Sequence, residues 1–244
     1  MVMSNTFVLM FLLLFPLWDR WELHRLKLGK SGARAGFYLR TTAGLWIATI
    51  VLVQIHDAAT YIVAPPVSLP FMGAQTLVAT AQVLSVLVLA LLILPVILLW
   101  FARSKRQRAL AALDAIDYLL PVTARERLLF ALVSLSAGVC EEIIYRGFLT
   151  HYFVDRPWAL PLWAGLIAAS LLFGLAHAGH GWTGILRTAT LGFILGLLYV
   201  GTGSLILPII IHACIDLRIL AFAMMRSSPA GIESQSIATS PVSS

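Results

Sequence analysis

Charged residues are scarce in this chain. They make up 11% of its 244 residues, where soluble domains run near a quarter. That scarcity excludes an ordinary water-soluble surface. Cysteine is nearly absent as well: Cys140 and Cys214 are the two present, both inside apolar segments. A secreted-type disulfide framework is therefore excluded. No His-Glu-x-x-His motif occurs, which sets aside a standard zincin or a site-2-type protease. No internal repeat and no stretch with the composition of a soluble domain is found.

What the chain has is hydrophobicity, at 60% of residues. The implied fold class is all-α, a polytopic transmembrane helix bundle. Apolar segments of span-like length run over about 4–18, 41–63, 74–101, 128–153, 158–177, 185–200 and 205–225, giving about seven spans. Pro157 and Pro161 mark a turn between the fourth and fifth. The net charge of +6 is concentrated in two loops. The first holds Arg20, Arg25, Lys27, Lys30, Arg34 and Arg40, and the second Arg103, Lys105, Arg106, Arg108, Arg125 and Arg127. Basic loops so placed mark the cytoplasmic side of a membrane protein, so the bilayer and not nucleic acid is the expected partner. The N-terminus is then outside and the C-terminal tail inside.

The first segment lacks a charged leading region and a small-x-small cleavage site, which reads as an uncleaved span. Leu110, Leu113, Ile116 and Leu120 sit at helical spacing, as in a helix lying on the membrane surface. Three regions follow: 1–127 with N-terminal spans and basic loops, 128–226 as a catalytic helix bundle, and 227–244 as a disordered tail rich in Ser, Pro, Thr and Ala.

Against this background, Glu141 and Glu142 stand side by side in an apolar segment. A carboxylate in hydrocarbon costs roughly 2.5 kcal/mol or more, and such groups are functional by default. Residues four apart share a helix face, so Glu142 and Arg146 meet and neutralise each other. Glu141 points about 100° away. It is free and desolvated, the condition for a general base. The fifth segment ends Phe173-Gly174-Leu175-Ala176-His177, with Phe173 and His177 on one face, and a hairpin at residue 159 brings His177 level with Glu141. The seventh carries His212 and Asp216 four apart, where a carboxylate can fix an imidazole's orientation. Asp216 has Arg218 and Arg146 as alternative partners. Counted from Leu205, His212 falls nearer the outer end than Glu141 does. Gln54, His56 and Asp57 are further polar candidates. Gly192, Gly196, Gly201 and Gly203 suit close helix packing, and Trp18, Trp100 and Trp158 suit interfacial anchors. Cys140 and Cys214 each neighbour a candidate and are offered as lining residues.

Glu-Glu-x-x-x-Arg, Phe-x-x-x-His and His-x-x-x-Asp, in order and each on its own span, resemble the CPBP family of intramembrane proteases, the CAAX-protease and bacteriocin-processing group. The resemblance covers roughly Leu128 to Leu220. The third motif ends in Asp216, where the family commonly has Asn. The resemblance implies an intramembrane endopeptidase acting on a membrane-associated, prenylated or leader-type peptide. Glu141 would activate water held by His177. His212, with Asp216, would stabilise the oxyanion, and Glu142 and Arg146 would support Glu141. The family is described as both glutamic-type and metalloprotease-type, and Glu141, His177 and His212 are three candidate zinc ligands. A bacterial inner membrane suits the layout. The competing readings are a proton- or metal-coupled transporter and a non-catalytic immunity or scaffold protein.

Overall fold

The computed structural model describes residues 2–28, 33–55, 74–101, 114–155 and 158–226. Everything regular in them is helical. In chain order the helices are α1 (Val2–Lys27), α2 (Ala33–Ile55), α3 (Ala74–Phe101), a 3₁₀ segment (Asp114–Leu119) and α4 (Ala124–Glu141). A π-helical stretch (Glu142–Leu149) and α5 (Thr150–Val154) continue α4 as one rod. Then come α6 (Leu162–Ala176), a 3₁₀ turn (Ala178–His180), α7 (Gly181–Thr202) and α8 (Ile206–Arg226). Counting the rod once, seven long helices form the bundle among the described residues. Among the described residues, four stretches are long and apolar enough to cross a membrane by length and composition: 33–54, 124–154, 178–202 and 206–225. Val78–Leu91 and Leu162–Ala176 are shorter apolar pieces.

The rod starts at Ala124, four residues before the segment start of 128 read from hydrophobicity. Thr123 accepts a hydrogen bond from the Glu126 backbone N–H, and the Glu126 carboxylate accepts from the Thr123 N–H. This capping box satisfies donors that a helix start leaves open. At the far end the rod stops at Val154 and α6 begins at Leu162. The Ala159 N–H donates to the Asp155 carbonyl and the Leu160 N–H to the Phe153 carbonyl. The expected hairpin is therefore present, and α6 returns along the rod.

In a bilayer, lipid competes with helix–helix contact, so association depends on close packing of small residues. Two glycines supply it. A Cβ on Gly138 of α4 would sit 3.0 Å from the Ala213 backbone nitrogen and 3.1 Å from the Ile209 carbonyl of α8. A Cβ on Gly174 of α6 would sit 2.7 Å from the Ile185 carbonyl of α7. The backbones touch at both crossings. On the opposite flank, Trp46 of α2 donates to Ser136 of α4 at 3.0 Å. Leu23, Leu26, Phe37, Tyr38, Phe130 and Val133 fill the space between α1, α2 and α4.

Several boundaries differ from the sequence reading. The first basic stretch is not a loop: α1 runs on to Lys27 and α2 begins at Ala33, so Arg20, Arg25, Lys27, Arg34 and Arg40 are all helical. Arg, Lys, Leu and Glu are strong helix formers, and a lipid boundary does not end a helix. Glu22, buried between them, takes both nitrogens of the Arg40 fork at 2.8 and 2.7 Å. Arg125 and Arg127 likewise belong to the first turn of α4. α6 has 15 residues, about 22 Å at 1.5 Å per residue, too short to cross a ~30 Å core alone. The described part of the expected surface helix is a 3₁₀ segment, held by Arg34 on the Tyr118 carbonyl and Tyr38 on the Leu119 carbonyl. α7 starts at Gly181 rather than 185, because Gly181 at φ +76° ends the 3₁₀ turn in a conformation that suits glycine. Gly203, at φ +72°, caps α7 rather than packing it. Lys30, His56, Asp57, Arg103, Lys105, Arg106, Arg108 and the tail 227–244 lie outside the described residues.

Candidate active site

The site is built where α4 passes into its π-helical continuation. Glu141 is the last α-helical residue and Glu142 the first of the π stretch. π-helical turns are rare and concentrate at functional sites. Nothing in Glu-Ile-Ile-Tyr-Arg-Gly-Phe-Leu advertises one, so α-helical spacing was the natural sequence expectation. The expected ion pair survives the change: Arg146 Nη1 donates to Glu142 Oε1 at 2.8 Å, with side chains 3% and 0% exposed.

α8 brings the third partner. His212 Nδ1 lies 2.7 Å from the same Glu142 Oε1. Its Nε2 lies 3.7 Å from Glu141 Oε2 and 3.8 Å from Asp216 Oδ2. His212 thus sits level with Glu141, and the mismatch in depth counted from Leu205 does not exist. The Gly138–Ala213 contact explains this. Ala213 neighbours His212, and Gly138 lies one turn before Glu141 and Glu142, so a close backbone approach of α4 and α8 lies beside the site. Gly138 was not among the glycines singled out in the sequence, and only tertiary structure pairs it with Ala213. Asp216 takes His212 as its neighbour rather than Arg146 or Arg218, and keeps 31% of its side chain exposed.

His177 caps the end of α6 with its Nδ1 2.9 Å from the Phe173 carbonyl. Phe173 is the hub: its ring lies 4.8 Å from that of His177 and 5.9 Å from that of His212, with the Arg146 guanidinium carbon 4.1 Å from its centroid. All six residues singled out in the sequence are therefore joined by direct contacts or through Phe173.

Three carboxylates (Glu141, Glu142, Asp216) face one guanidinium and two imidazoles in a largely buried space. Their hydrogen bonding is uneven. Among the described residues, Glu141 Oε2, Glu142 Oε2 and Arg146 Nη2 are buried without a hydrogen-bond partner. A buried polar atom left so costs on the order of 1–3 kcal/mol, and such cost is tolerated where the atom has work to do. The Glu141–His212 separation exceeds hydrogen-bond length, leaving both atoms free to act on a third group.

Zinc needs three or four N, S or O ligands. Among the described residues no three His, Cys, Asp or Glu side chains are grouped to hold a metal ion. His212 Nδ1 meets Glu142 and His177 Nδ1 meets a backbone carbonyl, which leaves the Nε2 of each without a short hydrogen bond among the described residues. Glu141, His177 and His212, as placed, do not form the ligand set their residue types suggested.

Other candidates fall away from the site. Gln54 is exposed. Cys140 is buried against Leu45 and Ala137, and Cys214 is exposed. Gly192 and Gly196 do pack closely, against Phe173 and Leu166.

Residues 123–218 match the family model described as Type II CAAX prenyl endopeptidase Rce1-like. The chain is Rce1-like over this stretch, consistent with the CPBP resemblance. No curated protein and no solved structure matches the chain. The Rce1-like stretch opens on the capping residue Thr123 and closes two residues after Asp216, so it contains all three motifs. Its apolar helices, together with this match to a membrane-protease family, point to an integral membrane protein.

Proposed function

We propose that the chain is an intramembrane endopeptidase that hydrolyses a peptide bond of a membrane-associated substrate with a glutamate-activated water. The observation that carries this reading is the contrast between adjacent carboxylates. Glu142 Oε1 is engaged by both Arg146 and His212 at 2.8 and 2.7 Å, while its Oε2 has no hydrogen-bond partner among the described residues. Glu141 has a buried oxygen with no hydrogen-bond partner among the described residues, 3.7 Å from His212 Nε2.

Glu141 accepts a proton from water as the oxygen adds to the scissile carbonyl carbon. In the imidazolium form both His212 nitrogens donate, Nδ1 to Glu142 and Nε2 to the oxyanion. The intermediate collapses, the C–N bond breaks, and Glu141 returns its proton to the leaving amine. Glu142 holds the orientation of His212, Arg146 balances Glu142, and His177 borders the water. Asp216 helps hold His212 in place. The substrate class is a membrane-associated peptide of prenylated or leader type, and the setting a bacterial inner membrane.

The test compares peptide cleavage in proteoliposomes by the intact chain and by Glu141→Gln. Loss of cleavage with unchanged folding is the expected result. Full activity in that variant ends the glutamate mechanism, and proton or metal flux without cleavage would replace the hydrolase with a transporter.

A further inference from the structure

We infer that Phe173 and Gly192 form a slot that positions the Arg146 guanidinium, and through it Glu142 and His212. This rests on the hydrolase reading above.

The slot has two walls from different helices. On one side the Phe173 ring, 1% exposed, lies under the guanidinium with 4.1 Å from its centroid to the guanidinium carbon. A cation over an aromatic face gains most where water is excluded. On the other side is Gly192 of α7. A Cβ there would lie 3.3 Å from Arg146 Nη2, 3.0 Å from Phe173 Cδ1 and 3.4 Å from the Ser170 backbone. Only hydrogen fits without displacement of at least one wall. Nη2 is the guanidinium nitrogen that finds no hydrogen-bond partner among the described residues, so contact with the walls, not a third hydrogen bond, fixes its rotation.

The consequence passes along short bonds. Arg146 Nη1 meets Glu142 Oε1 at 2.8 Å, and that oxygen meets His212 Nδ1 at 2.7 Å. A guanidinium turned within the slot moves the oxygen that orients His212, whose Nε2 faces Glu141. Small misplacements of a catalytic group cost rate steeply. Phe173 and Gly192 are therefore positioning residues: they touch no reacting atom.

The experiment is a double-mutant cycle of Gly192→Ala with Arg146→Lys, which removes the nitrogen that the new methyl would meet. Gly192→Ala is expected to lower kcat at least tenfold with KM within about twofold. In the Arg146→Lys background the same change should lower kcat by no more than about threefold. Equal losses in both backgrounds, or a loss confined to KM, overturn the slot. Unfolding midpoints in detergent are read on all four proteins. Should the intact chain cleave no peptide, or Arg146→Lys alone abolish cleavage, the midpoints decide: a smaller shift from Gly192→Ala in the Arg146→Lys background supports the slot, and additive shifts reject it. An inactive intact chain refutes the proposed function separately.

Discussion

Two isosteric changes at neighbouring positions, Glu141→Gln and Glu142→Gln, should have unequal consequences for stability. Glu142 is fully buried and its Oε1 accepts from Arg146 at 2.8 Å, with His212 Nδ1 at 2.7 Å. Making it neutral leaves the Arg146 charge, 3% exposed, without its paired counter-ion. Removing one partner of a buried pair costs about 3–5 kcal/mol. The cation–π contact with Phe173 recovers part of this, about 2 kcal/mol at most for a desolvated pair. The net expectation is a loss of about 1–3 kcal/mol. Glu141 Oε2 has no hydrogen bond to lose among the described residues, so Glu141→Gln should change stability by less than about 1 kcal/mol. The assay is chemical unfolding in mild detergent followed by far-ultraviolet circular dichroism, paired with peptide cleavage. Glu141→Gln should fold like the parent and cleave nothing, whereas Glu142→Gln should unfold more easily. If the two variants shift stability equally, or Glu141→Gln is the less stable, the division into a structural and a chemical carboxylate is wrong.

Other outcomes follow from the same geometry. Gly138→Ala places a methyl 3.0 Å from the Ala213 backbone nitrogen, where no flexible side chain can give way. Overpacking of that kind costs about 1–3 kcal/mol, and cleavage should fall with it, measured as kcat on folded protein. Thr123→Ala removes the capping hydrogen bond to the Glu126 N–H. It should lower stability by about 1 kcal/mol and leave cleavage unchanged, since Glu141 lies near the other end of α4. Asp216→Asn keeps an oxygen in place of Oδ2, 3.8 Å from His212 Nε2. It should reduce cleavage by less than about tenfold, and a complete loss would show that the charge itself is required.

Much of this molecule is legible from residue types alone. Scarce charge and long apolar runs demand a helical bundle, because hydrocarbon cannot satisfy an open backbone. The i,i+4 pairing of Glu142 with Arg146 is local and was readable in advance. Helix ends were less so. The basic run from Arg20 to Arg40 reads as a loop by charge, yet most of it continues α1 and α2, since helix propensity and a buried Glu22–Arg40 pair outweigh the change in polarity.

Tertiary structure alone decided the rest. The sequence placed Glu141, His177 and His212 on separate helices, with His177 level with Glu141 but His212 nearer the outer end. The Gly138–Ala213 crossing sets the actual depth of His212, and contact between two backbones has no one-dimensional signal that names both partners. The π-helical register after Glu141 and the choice of His212 as partner to Asp216 are likewise absent from any local pattern. They arise because packing among α4, α6, α7 and α8 selects one arrangement from several that local spacing allows equally.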